Sequence, residues 1–539
     1  MPHPPEVIAR IERICAFHES TKASPLPGST PLLDQQPSVF RVFAQCPRVA
    51  LPTTLLDAPT STLKVLAQGV SALPDSMTCP PQNLKTLASW LHLAAGITGK
   101  TVQGTHTSYL RAYPSAGATY PTEIYVLALA IDDLAPGLYH FSAKDFALYH
   151  LRDGLESLAQ LKRGRPDLDF LKTMPALLLV SSILWRSVWK YGNRGYRYAA
   201  IDAGHVLENL VQCGTALGIQ SVTRLHLNER NTRELIGLPT TCTFDQYEVV
   251  QGFVAWGDAA RQPLAIPTQR GACPPLAPID RLPVSSSCPD HPELRAIHLD
   301  CVAPGVGVNE IRPPHTEQCP MEQGQNLIAI GTDDVYSDLS IYKTLKKRRS
   351  NRTFDNTGLS RDFFGRLNAL AFRLGTYHPL LPAGPYFGTI RAFWFVHNVT
   401  GMTAGLWYYH ANFDKFTPVR YGDLRFDCKY LFADQGFCHD ASAVCIMVAN
   451  LADAMSNSSP DAMSNSSPDT YRLAHMEAGI AGERLYLAAT ALSIDCCAVG
   501  HFRDDELRMS LDLGATSWQP IYALALGSAR RPKMPDDLR

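Results

Sequence analysis

The sequence has no apolar run long enough to cross a bilayer. Its best stretch, Ile124–Ile131, is bounded by Glu123 and Asp132 and falls far short of the ~20 residues that a spanning helix needs. The opening residues, MPHPPEVIARIERICAFHES, lack a basic start followed by an apolar stretch, so no signal peptide is expected. An excess of charge of one sign is also missing. The formal net charge is -1, which gives no field to gather nucleic acid or an anionic membrane. The 14 cysteines include no CxxC pair, and Cys496–Cys497 are adjacent rather than spaced for a metal. Reduced, mostly buried thiols in a cytoplasmic protein are expected, with no metal, nucleic-acid or membrane partner.

What is present can build more than one core. Hydrophobic residues make up 45% of the 539 and charged residues 18%, a globular balance in a chain too long for one domain of ~100–200 residues. An internal repeat shows how it divides. YRYAAIDAGHVLENLVQCGTALGIQSVTRLHLNERNTRELIGL (Tyr196–Leu238) aligns without a gap with YRLAHMEAGIAGERLYLAATALSIDCCAVGHFRDDELRMSLDL (Tyr471–Leu513). Each reads as a long helix, a short apolar strand and a charged helical stretch, with Met476, Ile480, Leu485 and Leu487 contributing to the helical spacing. The match extends outward. EIYVLALAI (Glu123–Ile131) followed by GLYHF (Gly137–Phe141) parallels RAFWFVHNV (Arg391–Val399) followed by GLWYY (Gly405–Tyr409), and VVQGFVAWG (Val249–Gly257) parallels PIYALALG (Pro520–Gly527). The expected division is a first half over 1–262, a proline-rich tether over 263–337 and a second half over 338–539. DAMSNSSP, present twice in succession at Asp453–Pro468, reads as a surface loop.

Two local patterns suggest chemistry. The run Lys346-Lys347-Arg348-Arg349-Ser350-Asn351-Arg352 is as a charge run most simply a solvated face. Its Arg-Arg-Ser-x-Arg spacing can also place guanidinium forks and a hydroxyl around a phosphate. Pro114-Ser115-Ala116-Gly117 precedes a strand. By itself it is a tight turn, and its glycine would let backbone approach a flat ring.

These patterns combine with Trp189–Tyr198 (WKYGNRGYRY), Ala498-Val499-Gly500-His501-Phe502 and the terminal Leu526–Arg531 (LGSARR). In that order they resemble the nitroreductase superfamily, and specifically its SagB-type dehydrogenase branch. The resemblance covers nearly the whole chain. It implies an α+β fold with two tandem nitroreductase-like domains packed as an intrachain pseudo-dimer, and FMN in the crevice between them. It implies that the second half supplies Arg348, Arg349, Ser350, Arg352, Val499, Gly500, Arg530 and Arg531, and the first half Pro114, Ser115, Ala116 and Gly117. Arg348 and Arg349 would divide between the ring, where reduction places negative charge near N1 and the C2 carbonyl, and the phosphate. Lys190 and Tyr191 match the Lys-Tyr pair of the azoline-oxidising members and are the expected catalytic residues.

The mirror-image site has weaker material: His18-Glu19-Ser20-Thr21-Lys22 in place of the arginine run, Leu225 aligned with Gly500, Arg261 alone, and Pro382-Ala383-Gly384-Pro385 without the serine. One FMN per chain is therefore expected. The resemblance further implies an FMN-dependent oxidase that removes two hydrogens from a heterocycle, azoline to azole. The substrate would be a peptide or carrier-bound intermediate of natural-product biosynthesis, with biosynthetic complex partners. An NAD(P)H-dependent nitro or quinone reductase and a non-catalytic flavin-binding scaffold are the alternatives. Gly305-Val306-Gly307 lies in the tether and is no dinucleotide fingerprint.

Overall fold

The computed structural model describes residues 5–22, 31–43, 45–67, 79–103, 106–225, 227–239, 241–257, 276–302, 319, 321, 328–329, 338–355, 357–372, 389–451 and 469–528. Two seven-stranded antiparallel sheets carry the chain. The first contains β1 (Arg48–Ala50), β4 (Thr122–Ala128), β5 (Gly137–Ser142), β6 (Ala147–Asp153), β7 (Ala176–Ile183), β8 (Ser221–Arg224) and β9 (Glu248–Trp256), while β2 (Ile97–Gln103) and β3 (His106–Arg111) form a separate hairpin. The second contains β10 (Ile328–Ala329), β11 (Ile390–Val396), β12 (Gly405–His410), β13 (Lys415–Tyr421), β14 (Ala443–Asn450), β15 (Asp495–Val499) and β16 (Trp518–Gly527).

The strand orders are β1-β6-β5-β4-β7-β9-β8 and β10-β13-β12-β11-β14-β16-β15, the same path taken twice. Even the irregularities repeat. The β5/β6 register shifts between Leu138 and Tyr139 and the β12/β13 register between Leu406 and Trp407; β7/β9 shifts at Val180/Ser181 and β14/β16 at Met447/Val448. Bulges are specific features of a pairing, so their recurrence at matching positions bears out the duplication. Strands β4, β7 and β14 are buried along their whole length, because each central sheet region is covered on both faces. Their sequences accordingly run apolar without alternation.

The lobes meet along two long helices, Gly195–Ala216 and Thr470–Ala491. Every residue of the first is buried, as expected of a helix packed on all sides. Several of its polar side chains are bonded across the pseudo-dimer interface. His205 Nδ1 lies 2.7 Å from Glu483 Oε2, His205 Nε2 lies 2.8 Å from Tyr522 Oη, and Arg484 Nη1 donates to Glu208 Oε1 at 2.9 Å.

The described part of the proline-rich stretch differs from an extended tether. It carries the helix Pro292–Val302, with Leu294, Ile297 and Cys301 buried, a three-and-four spacing that gives an apolar stripe. Arg13 pairs with Asp300 (2.7 and 2.6 Å) and binds this helix to the first lobe. No helix among the described residues is long and apolar enough to cross a membrane, and among them no group of three His, Cys, Asp or Glu could hold a metal. The DAMSNSSP repeat, Gly305–Gly307, Pro382–Pro385, Arg261, Arg530 and Arg531 lie outside the described residues.

Candidate functional site

The chain leaves β3 and makes a bend before β4. Ser115 Oγ donates to Asp202 Oδ2 (2.5 Å) and accepts from Tyr120 N (2.9 Å), while Ala116 N donates to Asp202 Oδ1 (3.3 Å). Three residues of the bend have positive φ: Gly117 (57°), Ala118 (55°) and Tyr120 (43°). For the two non-glycines this is uncommon backbone, held because its polar groups are bonded. Gly117 is required for a second reason. A β-carbon there would lie 2.2 Å from Tyr191 Oη and 2.6 Å from Lys190 Nζ. Lys190 and Tyr191 end the helix Leu184–Tyr191, which Gly192 terminates at φ 55°. Lys190 Nζ donates to Gly117 O at 3.1 Å, and the Tyr191 ring meets Tyr198 edge-on at 4.8 Å.

The second lobe faces this bend with its arginine run. The helix Ile341–Lys347, capped by Ser340, stops at Arg348. The chain then runs beside β15, with Ser350 bridged to Cys496 and Asn351 N donating to Cys496 O at 3.1 Å. Arg348 is buried and reaches into the first lobe, donating from Nε to Ala112 O and from Nη2 to Arg111 O, both at 3.0 Å. Arg349 Nη2 donates to Thr98 O of the β2–β3 hairpin at 3.3 Å. Tyr486 organises the rest: Ser350 Oγ lies 2.9 Å from its hydroxyl, Ala498 N donates to that hydroxyl at 2.6 Å, and the Arg348 guanidinium sits 5.5 Å from its ring centre.

Arg352 is exposed at its own position, yet its charge reaches both Lys190 and Tyr191 of the other lobe. Burial, and then Arg352, push the Lys190 ammonium below its ordinary range. Burial raises Tyr191, with Tyr198 and Asp202 adding to the effect. Burial and the neighbouring Arg348 lower Arg349. Asp202 is pushed up to about 7 by burial, against the opposing bonds from Ser115 and Ala116. Arg194 and Arg197 share Asp504 as their counter-ion (2.7 and 2.9 Å). Among the described residues no carboxylate pairs with Arg348, Arg349, Arg352 or Lys190. Cations drawn from both lobes thus converge without a protein counter-ion, which suits an anionic ligand.

Val499 is buried at the end of β15. At Gly500 the space before the α-carbon is taken by Tyr198: a β-carbon would lie 2.6 Å from its ring, and the Gly500 carbonyl accepts from Tyr198 Oη (2.7 Å) and Arg194 Nη2 (3.0 Å). Gly500 therefore lets the other lobe's tyrosine approach. The mirror position is closed differently. Leu225 O accepts from Arg472 Nη2 at 2.9 Å, and Arg472 is itself paired with Asp469 (2.7 Å). Tyr196 and Glu229 lie 3.2 Å from His298 of the interlobe helix. Lys22 is held by Glu19 (2.8 Å) and Asp505 (2.6 Å).

Sequence reasoning missed Asp202, Tyr198 and Tyr486. All three lie on the aligned helices, where other polar residues such as Arg197, His205 and Glu483 are equally buried, so spacing alone does not single them out.

Comparison with known proteins places this architecture. The nitroreductase family model matches residues 79–258 and 411–528, more than half of the chain and part of each lobe. The chain belongs to the nitroreductase family. The "Putative nitroreductase MJ1384" of Methanocaldococcus jannaschii is 31% identical over 160 residues, 29% of this chain and 75% of that protein. A crystal structure described as a "putative nitroreductase" from Anabaena variabilis superposes with a TM-score of 0.73 at 23% identity, covering 96% of this chain and 99% of that one, so the tandem fold is shared end to end. Family members are oxidoreductases, typically dependent on FMN. The residues here fit that group. The cations without a protein counter-ion match its phosphate, while the space at Gly117 is taken by Lys190 and Tyr191.

Proposed function

We propose that this nitroreductase-family chain is a SagB-type FMN-dependent oxidase, which removes two hydrogens from a heterocycle of the azoline type on a peptide or carrier-bound intermediate of natural-product biosynthesis. The observation that carries the reading is the Lys190–Tyr191 pair of one lobe standing against Gly117 and within reach of the charge of Arg352 from the other. FMN, when bound, supplies a two-electron acceptor for hydride. Arg348, Arg349, Ser350 and Arg352 would hold it from the second lobe with Val499, Gly500, Arg530 and Arg531, and Pro114, Ser115, Ala116 and Gly117 from the first.

Oxidation of an azoline also requires a proton to leave carbon. Lys190 suits that task because burial and Arg352 enlarge its neutral fraction at working pH. Gly117 O holds the amine in place. Tyr191, kept protonated by burial, can donate a hydrogen bond to the heterocycle. The lack of a counter-charge for Lys190 among the described residues favours a neutral base over a permanently paired cation.

Anaerobic mixing of the FMN-loaded chain with reductants tests the proposal. An azoline-bearing peptide should bleach the flavin, and Lys190→Ala should abolish bleaching while the protein stays yellow. Bleaching by NADPH alone, with none by the peptide, would assign the chain to nitro or quinone reduction instead.

A further inference from the structure

Among the described residues, Asp202 is the acid whose side chain is bonded into the bend. It sits on the long helix Gly195–Ala216 and is 2% exposed. Its two oxygens take the two donors that shape the turn, Ser115 Oγ at 2.5 Å and Ala116 N at 3.3 Å. Ser115 then accepts from Tyr120 N at 2.9 Å. A single carboxylate thereby fixes both ends of the strained segment from Ser115 to Tyr120. With both oxygens accepting, the arrangement is that of the ionised carboxylate; protonation turns one oxygen into a donor, reverses the Ser115 hydroxyl and removes the charge assistance from the bond with Ala116 N.

The surroundings leave the ionised state poorly supported. Tyr113 beside the bend, Tyr191 at the end of helix Leu184–Tyr191 and Tyr522 on β16 of the other lobe all feel the charge of Asp202. No cation contributes to holding Asp202 ionised; only the bonds from Ser115 and Ala116 oppose its burial. Lys190, whose ammonium meets the bend from helix Leu184–Tyr191, is bonded to Gly117 O. His205, one turn along the same helix, is engaged with Glu483 and Tyr522. The repeat-related position in the second lobe is Glu477, whose carboxylate likewise takes a hydroxyl, that of Thr389, and a backbone amide, that of Ile390. The device is therefore part of the duplicated fold, but only in the first lobe does it border the Lys190–Tyr191 pair.

We propose that Asp202 is the positioning residue of this site: its ionised carboxylate clamps Ser115 and Ala116 and holds the bend in its left-handed shape, and protonation of Asp202 weakens that clamp and loosens the bend. The inference rests on the functional reading above for the bend's importance to FMN, but not for the switch itself. The sign follows from burial. Burial pushes Asp202 up to about 7, so the clamp is at full strength above that pH and weakens as pH falls through it.

Amide hydrogen exchange on the full chain, with and without added FMN, reads the clamp directly at Ala116 and Tyr120. After correction for intrinsic exchange, protection at both amides should fall roughly tenfold or more as pH is lowered from about 8.5 to about 5.5, given a group titrating near neutrality. In Asp202→Asn, which cannot ionise, protection should not change over that range. Ser115→Ala removes a bond that favours the ionised form, so it should move the transition at Ala116 to higher pH. The FMN dissociation constant of the wild type should rise over the same interval, and that of Asp202→Asn should stay flat. Protection independent of pH in the wild type, or the same transition surviving in Asp202→Asn, overturns the proposal. So does an unmoved midpoint in Ser115→Ala. Failure to bind FMN at any pH would remove the functional reading while leaving the exchange result to decide the clamp.

Discussion

Gly204 and Gly479 cross at the contact of the two long helices: a β-carbon on Gly204 would lie 2.1 Å from Met476 O, and one on Gly479 would lie 2.1 Å from Ile201 O. The two glycines occupy equivalent places in the repeat. They let backbone meet backbone at the pseudo-twofold contact, and the crevice that holds the candidate site is set by how closely the lobes approach there.

Gly204→Ala should therefore push the lobes apart. Carbonyl oxygens cannot rotate away as side chains do, so the cost should reach or exceed the upper end of the ~1–3 kcal/mol typical of overpacking. Urea denaturation of the full chain would measure it. An unchanged midpoint would show that the helices do not bear the lobe contact.

At the bend, Gly117→Ala should abolish turnover more than it harms folding. Positive φ costs alanine about 1 kcal/mol, whereas the new methyl would displace Tyr191 and Lys190 from their places beside Gly117. Misplacement by about an ångström can cost on the order of 100-fold in rate. The expected result is a turnover loss of that order at saturating FMN with the circular dichroism of the wild type; full activity would detach Lys190 and Tyr191 from the mechanism.

Arg352 depresses Lys190 across the lobe boundary. Replacing it with glutamine removes a like charge, so the Lys190 pKa should rise. If neutral Lys190 is the base, the limb over which kcat grows with pH should move to higher pH in Arg352→Gln, measured with FMN saturating. A limb that stays in place, or moves to lower pH, would assign the titration to another group.

Much of this was legible in the residues because the duplication is plain in pattern. Apolar blocks such as Glu123–Ile131 and Arg391–Val399 sit before matching GLYHF and GLWYY strands, and the sheets follow the same order twice. The resemblance implied a site drawn from Arg348 of the second half and Pro114–Gly117 of the first; the Arg348 guanidinium donates to Arg111 O and Ala112 O, just ahead of that bend. Other features depended on tertiary context that spacing does not encode. Leu294, Ile297 and Cys301 formed a helical stripe inside a stretch dominated by prolines. The approach of Tyr198 from the facing lobe to Gly500 is one such feature. Asp202 was quoted within the repeat without a role, since only burial and its contact with Ser115 distinguish it from a surface acid.

The central claim is a single flavin site composed from both lobes, and FMN titration of the purified chain tests it most directly. One FMN should bind per chain, with binding weakened by Arg348→Ala and by Gly117→Ala although these residues lie in different lobes. Two equivalent FMN per chain, or binding that responds to substitutions in one lobe only, would contradict it.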